Sequence, residues 1–272
     1  MSPAVRGPGR RILGAVGGRV AVFLGVVVLI VAAWWLFLVF SGVSHFVGKS
    51  PVDVWEYLFT GEEADQQREQ LISAMLATLA DAGIGYVAGL GGAVAVAVVF
   101  AVFPALAVTF MPVAMVLRTF PLLAFTPLIV LAVGRGPGGV AVVGFIVVFF
   151  AALVTVSFGI SNAPGDALEV ITVFGGRRWA RMLKVALPAA VPALFAAARI
   201  AVPQAMAAAL IAEWLITGNG AGSELMSAAG TSQYSALWTY AAVLILVSTV
   251  LYTAVTVLEE IVVERFRGTA RG

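Results

Sequence analysis

Residues Gly136 to Gly165 read GPGGVAVVGFIVVFFAALVTVSFGISNAPG, without one Asp, Glu, Lys or Arg. A helix crosses a hydrocarbon core of about 30 Å with about 20 apolar residues, and this run exceeds that length. Its apolar residues are continuous rather than alternating, which selects a helix over a lipid-facing strand. The same reading extends outward. Val20 to Ser44, Ala82 to Leu117 and Leu225 to Leu258 are also free of those four residue types. Phe103 to Gly134 is interrupted only by Arg118, and Pro188 to Gly218 only by Arg199 and Glu213. Six spans are therefore expected, near 20–41, 74–100, 104–133, 138–160, 190–216 and 236–260.

Composition agrees with this. Of 272 residues, 61% are hydrophobic and 11% charged, against about 25% charged in soluble domains. So little charge cannot cover a water-facing surface, and lipid must be the solvent for much of the chain. The absence of cysteine excludes disulfides and thiolate metal sites and leaves the redox compartment open. The first apolar run is too long for a signal-peptide core and has no small-residue cleavage site after it. Residues 1–19, rich in Gly, Pro and Arg, are expected to be a solvated tail, as are 266–272.

Lys and Arg set the expected orientation. Arg6, Arg10, Arg11 and Arg19 precede the first span. Arg177, Arg178, Arg181 and Lys184 lie between the fourth and fifth, and Arg265, Arg267 and Arg271 follow the sixth. Six crossings put all three groups on one side, the cytoplasm, with both termini. The opposite loops hold only Lys49, Arg68 and Arg135, and the 45–70 loop is acidic, with Asp53, Glu56, Glu62, Glu63, Asp65 and Glu69.

Several local patterns have plain structural readings. Gly48-Lys49-Ser50 is not a phosphate loop: five residues separate Gly42 from Gly48 instead of four, and neither the strand nor the helix such a loop needs is expected around it. Gly85 and Gly89 form a GxxxG pair suited to close helix packing. His45 has no neighbouring ligands of the kind a metal site needs. Arg118, Arg199 and Glu213 lie at membrane depth, where ionisable groups are costly and face a bundle interior or a water-filled path. Arg118 precedes Thr119-Phe120-Pro121, so a break is expected there. Arg118, Pro121 and Glu213 are the candidate pathway residues, while Arg199 can snorkel to the headgroups.

The 161–188 loop is the most informative segment. It carries Asp166, Glu169, Gly175-Gly176, Arg177, Arg178, Trp179, Arg181, Lys184 and Leu187-Pro188. The glycine pair breaks the chain, so two short helices joined by a turn are expected. On an ideal wheel Arg177, Arg181 and Lys184 share one face; Trp179, Met182, Leu183 and Ala186 share the other. An interfacial helix would account for those faces, but not for Glu169 or for the run to Leu187-Pro188.

That loop resembles the signature of ABC importer permeases: Glu-Ala-Ala, three residues, Gly, nine residues, Ile-x-Leu-Pro. Glu169 takes the acid position, Gly175 the glycine, Val185 the isoleucine, and Leu187-Pro188 the end, with Val170 and Ile171 in place of the alanines. Ala196-Ala197-Ala198-Arg199-Ile200, Ala212-Glu213-Trp214-Leu215 and Arg118-Thr119-Phe120-Pro121-Leu122 resemble the branch importing sulfonates, taurine, nitrate and related solutes. The resemblance covers about residues 70–265. It implies an all-α bundle of the type I importer permease fold, with a 20–44 first helix and a 71–265 five-helix core, in the bacterial inner membrane.

The resemblance also implies function. The chain would be a non-catalytic permease subunit without a cofactor, taking a small anion or a vitamin or vitamin precursor. Its partners would be two copies of a cytoplasmic ATPase, a second permease (the same chain or a different one), an external solute-binding protein and membrane lipid, with no nucleic acid. Glu169, Gly175, Gly176, Arg177, Arg178, Trp179 and Arg181 would dock to the ATPase as a coupling helix. The alternative is an ion-coupled carrier or channel working without an ATPase; beyond Glu213 and Asp81, few acids lie near membrane depth to serve it.

Overall fold

A computed structural model of the chain describes residues 8–119 and 121–269, with side-chain surroundings given for 22, 24–119 and 121–263. Arg6, Phe120 and Arg271 lie outside the described residues, as do the side chains of Arg10, Arg11, Arg19, Arg265 and Arg267. The described residues form helices and no strand: α1 (Pro8–Ser41), α2 (Pro51–Trp55), α3 (Ala64–Val102), α4 (Pro104–Leu117), α5 (Leu122–Val133) and α6 (Pro137–Ser161), then α7 (Gly165–Val173), α8 (Arg178–Arg181), α9 (Leu187–Ala189), α10 (Val191–Ala212), α11 (Ala221–Gly230) and α12 (Tyr234–Thr269). Glu56–Thr60, Met182–Ala186 and Glu213–Thr217 are π-helical turns.

Windows of α1, α3, α6, α12 and of α10 with the turn after it are long and apolar enough to cross a membrane. The pair α4–α5, bent by 104° at the break around Arg118–Pro121, makes a sixth crossing when counted as one span. The charge-free gaps thus correspond to the helices, but three expectations about their ends need correcting. Residues 8–19 are helical rather than tail-like, because Pro8 opens α1 at the one helical position that loses nothing with its N–H. Residues 266–269 continue α12, since no breaker follows Leu258 before Gly268. The 45–70 loop is largely helical, and its last residues are already the first turns of α3.

A five-residue helix also follows Ser50, contrary to expectation. Pro51 serves as its first residue instead of stopping it, and Ser50 caps it reciprocally with Asp53. The Asp53 Oδ2 accepts from the Ser50 backbone N–H at 2.6 Å and from its hydroxyl at 2.7 Å, and the Asp53 N–H donates to Ser50 Oγ at 3.3 Å. Burial works against ionisation of Asp53, yet these bonds, with His45 and Lys49 nearby, hold its carboxyl below the ordinary value.

Two compact units make up the chain, 1–69 with 228–272, and 70–227. In the first, α1 and α12 meet through Trp34 and Trp238, whose rings stack 5.4 Å apart, and Trp238 Nε1 donates to the Val47 carbonyl at 2.8 Å. Phe46 packs edge-on against Tyr234. The Arg68 guanidinium pairs with Asp65 and donates to the Leu58 carbonyl, closing the turn before α3.

The second unit is centred on α6, which packs along α10 through small residues. Ala197, Ala201, Ala205, Ala208 and Ala212 of α10 are buried, as are Val140, Val143, Val148, Ala152, Leu153 and Val156 of α6. Alanine at these positions lets two backbones approach, which is how helices associate where the hydrophobic effect is absent. The Gly85–Gly89 pair does the same for α3 against α6. A Cβ at Gly85 would sit 2.6 Å from the Gly144 Cα, and one at Gly89 2.6 Å from the Val148 Cβ. Tyr86 strengthens the seam between α3 and α10, its hydroxyl donating to the Ala198 carbonyl at 3.2 Å.

Candidate functional site

The 161–188 loop folds as two short helices around a left-handed turn. Helix α7 ends at Phe174, after which Gly175 adopts φ +75°, a conformation that only glycine enters without strain. The Gly176 N–H returns to the Ile171 carbonyl at 2.8 Å and the Gly175 N–H to that of Thr172 at 3.0 Å. This paired closure satisfies the last carbonyls of α7 and fixes where the chain leaves it. Gly176 is needed as well, because a Cβ there would strike Ile171. The expectation of two helices and a glycine turn matches this arrangement.

The faces of the second helix depart from the ideal wheel. Met182 and Ala186 are buried, but Trp179 and Leu183 are exposed. An α-wheel advances 100° per residue only while α-helical bonding lasts; α8 gives way at Met182 to a wider π turn, which shifts the residues after it and so accounts for Leu183 but not for Trp179, which precedes it. The result is an exposed end to the loop. Glu169, Gly175, Arg177 and Trp179 are all exposed, and Val173 and Phe174 are 84% and 86% exposed.

Arg178 and Arg181 reach the other way. With Leu168 and Met182 they line a cavity of about 450 Å³ whose far wall includes Phe100, Met111 and Ser157. Arg178 Nη1 donates to the Val102 carbonyl, the last residue of α3, at 3.4 Å. The loop is thus seated on the ends of α3, α4 and α6 while its turn projects outward. The loop has an exposed tip of mixed charge and apolar surface, and its inner side meets the ends of three long helices.

Arg118 and Pro121 flank the break between α4 and α5. Pro121 supplies the extended residue before α5, and Arg118, which is exposed, lines a cavity of about 480 Å³ with Leu122, Phe125, Ile146, Phe150 and Gln204. Glu213 is placed elsewhere. It is fully buried and lines none of these cavities. Its Oε2 accepts from the Thr78 hydroxyl at 3.0 Å and from the Gly222 N–H at 2.7 Å, and Thr78 Oγ1 in turn accepts from the Ala221 N–H at 2.9 Å. Glu213 therefore ties the end of α10 to α3 and to the start of α11. Gln204, Thr78 and Gly222 escaped the sequence reading. Gln204 alone left a signal there, as a carboxamide within an apolar span.

Fold and loop together define a polytopic helical membrane protein whose 161–188 turn projects outward. Residues 93–268 match the binding-protein-dependent transport system inner membrane component family, and the chain belongs to that family, whose members are transport permeases rather than enzymes. Similar proteins include a probable ABC transporter permease protein of Haemophilus influenzae, 28% identical over 83% of this chain and 87% of that one. A nitrate import permease protein, NrtB, of Leptolyngbya laminosa is 32% identical over 60% and 58%. A riboflavin transport system permease protein, RibX, of Chloroflexus aurantiacus is 27% identical over 56% and 57%.

Proposed function

We propose that this permease works as a pair around a shared pathway, driven by two copies of a separate ATPase that seat on the 161–188 turn, and supplied by a solute-binding protein on the opposite side. The exposed tip carries this reading. Glu169, Val173, Phe174 and Trp179 present charge and apolar surface at the end of a turn that Gly175 fixes, and large exposed apolar groups outside the lipid mark a docking surface. Because α7 and the turn are rigid and held at the ends of α3, α4 and α6, closure of the ATPases rocks the spans and exposes the pathway alternately to either side.

Both termini and the 161–188 loop face the cytoplasm in this scheme, as the Lys and Arg bias requires. The solute is small. Arg118 offers a guanidinium to an anionic or carbonyl-bearing group, which suits a sulfonate or nitrate-like anion, and equally a vitamin or its precursor. The names of the relatives span the same range, one nitrate and one riboflavin.

The test combines topology with energetics. Reporter fusions are expected to place 45–70 and 218–235 outside and 161–188 inside. Purified alone the chain hydrolyses no ATP, and with its ATPase in proteoliposomes it supports ATP-dependent uptake. An external 161–188 loop, or uptake driven by an ion gradient with no ATPase present, overturns the proposal.

A further inference from the structure

Arg178 and Arg181 line the cavity of about 450 Å³ on the inner side of the loop. Three residues apart on a helix, their side chains are neighbours. The wall contains no Asp or Glu, and its other polar side chains are Ser157 and Ser161. The Ser161 hydroxyl already donates to the Ser157 carbonyl at 2.8 Å. Arg178 makes one long bond, to the Val102 carbonyl at 3.4 Å, and among the described residues no carboxylate pairs with either guanidinium. A guanidinium carries five N–H donors, so most of these donors have no acceptor within the protein.

Position narrows the ligand that supplies one. Helices α3 and α6 are long and apolar enough to cross the membrane and end at Val102 and Ser161, and both end residues line the cavity. The cavity therefore lies where hydrocarbon gives way to headgroups. Away from the arginines its wall is apolar, with Phe100, Met111, Ile160 and Leu168. A free inorganic anion would satisfy the guanidiniums but leave that surface in water. A phosphodiester bearing acyl chains covers both parts: the arginine forks grip its oxygens in pairs, and its first methylenes lie on the apolar side. Basic pockets between membrane helices take lipid headgroups in this way. A zwitterionic headgroup fits less well, because its ammonium would approach two guanidiniums with no acid in the wall to receive it.

We infer that this cavity holds an anionic phospholipid, its phosphate between Arg178 and Arg181, and that the lipid braces the 161–188 loop against the ends of α3, α4 and α6. Leu168, Arg178, Arg181 and Met182 bring the loop to the wall, and the three helices form most of the rest, so one bound lipid joins the two. The two arginines then serve the membrane side of the loop and not its docking tip. The lipid site stands independently of the importer reading; the bracing role rests on it.

The experiment uses the full-length permease with its ATPase in neutral detergent, followed by native mass spectrometry. The probes are phosphatidylglycerol, phosphatidylethanolamine, glycerophosphate and inorganic phosphate. Phosphatidylglycerol is expected to stay bound where phosphatidylethanolamine does not, and neither soluble phosphate is expected to displace it. Arg178→Gln combined with Arg181→Gln is expected to weaken retention about tenfold or more. Lys184→Gln removes an exposed charge of the same loop that lies outside the cavity wall, and is expected to leave retention unchanged. Arg178→Lys combined with Arg181→Lys keeps the charge without the forks and is expected to fall between, which decides the matter if the glutamine variant does not fold. In liposomes, ATP-driven uptake by wild type is expected to rise with phosphatidylglycerol content, and uptake by the glutamine variant to stay flat. Equal retention of the two lipids, wild-type retention by either double variant, or an equal loss in Lys184→Gln overturns the site. Displacement by millimolar glycerophosphate or inorganic phosphate assigns the arginines to a soluble anion and overturns the lipid. Uptake indifferent to phosphatidylglycerol overturns the bracing role. If no ATPase co-purifies, the importer reading has failed, and retention by the permease alone still decides the site.

Discussion

Glu169 is an exposed acid in a loop whose other charges include Arg177, Arg178, Arg181 and Lys184. Anionic lipid headgroups repel it, and in the proposed assembly a cation on the ATPase is its simplest partner. Glu169→Lys is expected to insert and fold normally but to lose most of its co-purifying ATPase, with uptake down about tenfold, as loss of a charge-assisted bond implies. Wild-type ATPase recovery and uptake from correctly inserted protein would remove Glu169 from the docking surface. Glu213 behaves in the opposite way. Leucine there would leave the Gly222 N–H buried without its acceptor, a loss of about 1–3 kcal/mol, while the Thr78 hydroxyl keeps the Ala74 carbonyl. A lowered unfolding temperature in the purified complex is the expected sign, whereas a pathway role would lower transport at unchanged stability. The sequence marked Glu213 as an acid at membrane depth. It could not show its purpose, because Thr78 is 135 residues away and a lone threonine in an apolar run leaves no periodic trace.

Among the helices, gaps between charges located every span, because lipid tolerates charge so poorly that its absence is itself a boundary marker. The break after Arg118 was legible for a different reason, since Pro121 removes a donor and restricts the residue before it. The π turns were not legible. Nothing in Met182–Ala186 departs from ordinary helical composition. The Gly85–Gly89 pattern announced close packing without naming the partner helix, which is α6 at Gly144 and Val148. Gly144→Leu is therefore expected to force α3 and α6 apart and to destabilise the protein by about 1–3 kcal/mol or more. Leucine at Gly83, where a Cβ would meet nothing within 4 Å, should be tolerated. Comparable thermal stability of the two variants would contradict the packing described.

For the molecule as a whole, the loop signature carried the family, whereas the cavity wall shared by Arg118 and Gln204 stayed unread, since they lie 86 positions apart in the sequence and only the fold brings them together. The interrupted crossing made by α4 and α5 has a further consequence, and it concerns hydration. A helix that stops and restarts leaves its last carbonyls and first N–H groups without partners, and α5 begins with no side chain capping it. Hydrocarbon supplies nothing to bind them, so such a break persists only where it borders protein or a wet cavity. Since Arg118 lines a cavity, water is expected at its level even when no solute is being carried. In nanodiscs the amides of Leu122 and Leu123 are expected to exchange deuterium far faster than those of Val143 and Val148 in the unbroken α6. Equal protection at the two places would mean that the crossing is sealed and dry. If it is wet, the resting transporter already holds part of an aqueous channel, and what keeps the cell from leaking through it is the closure of the remaining length alone.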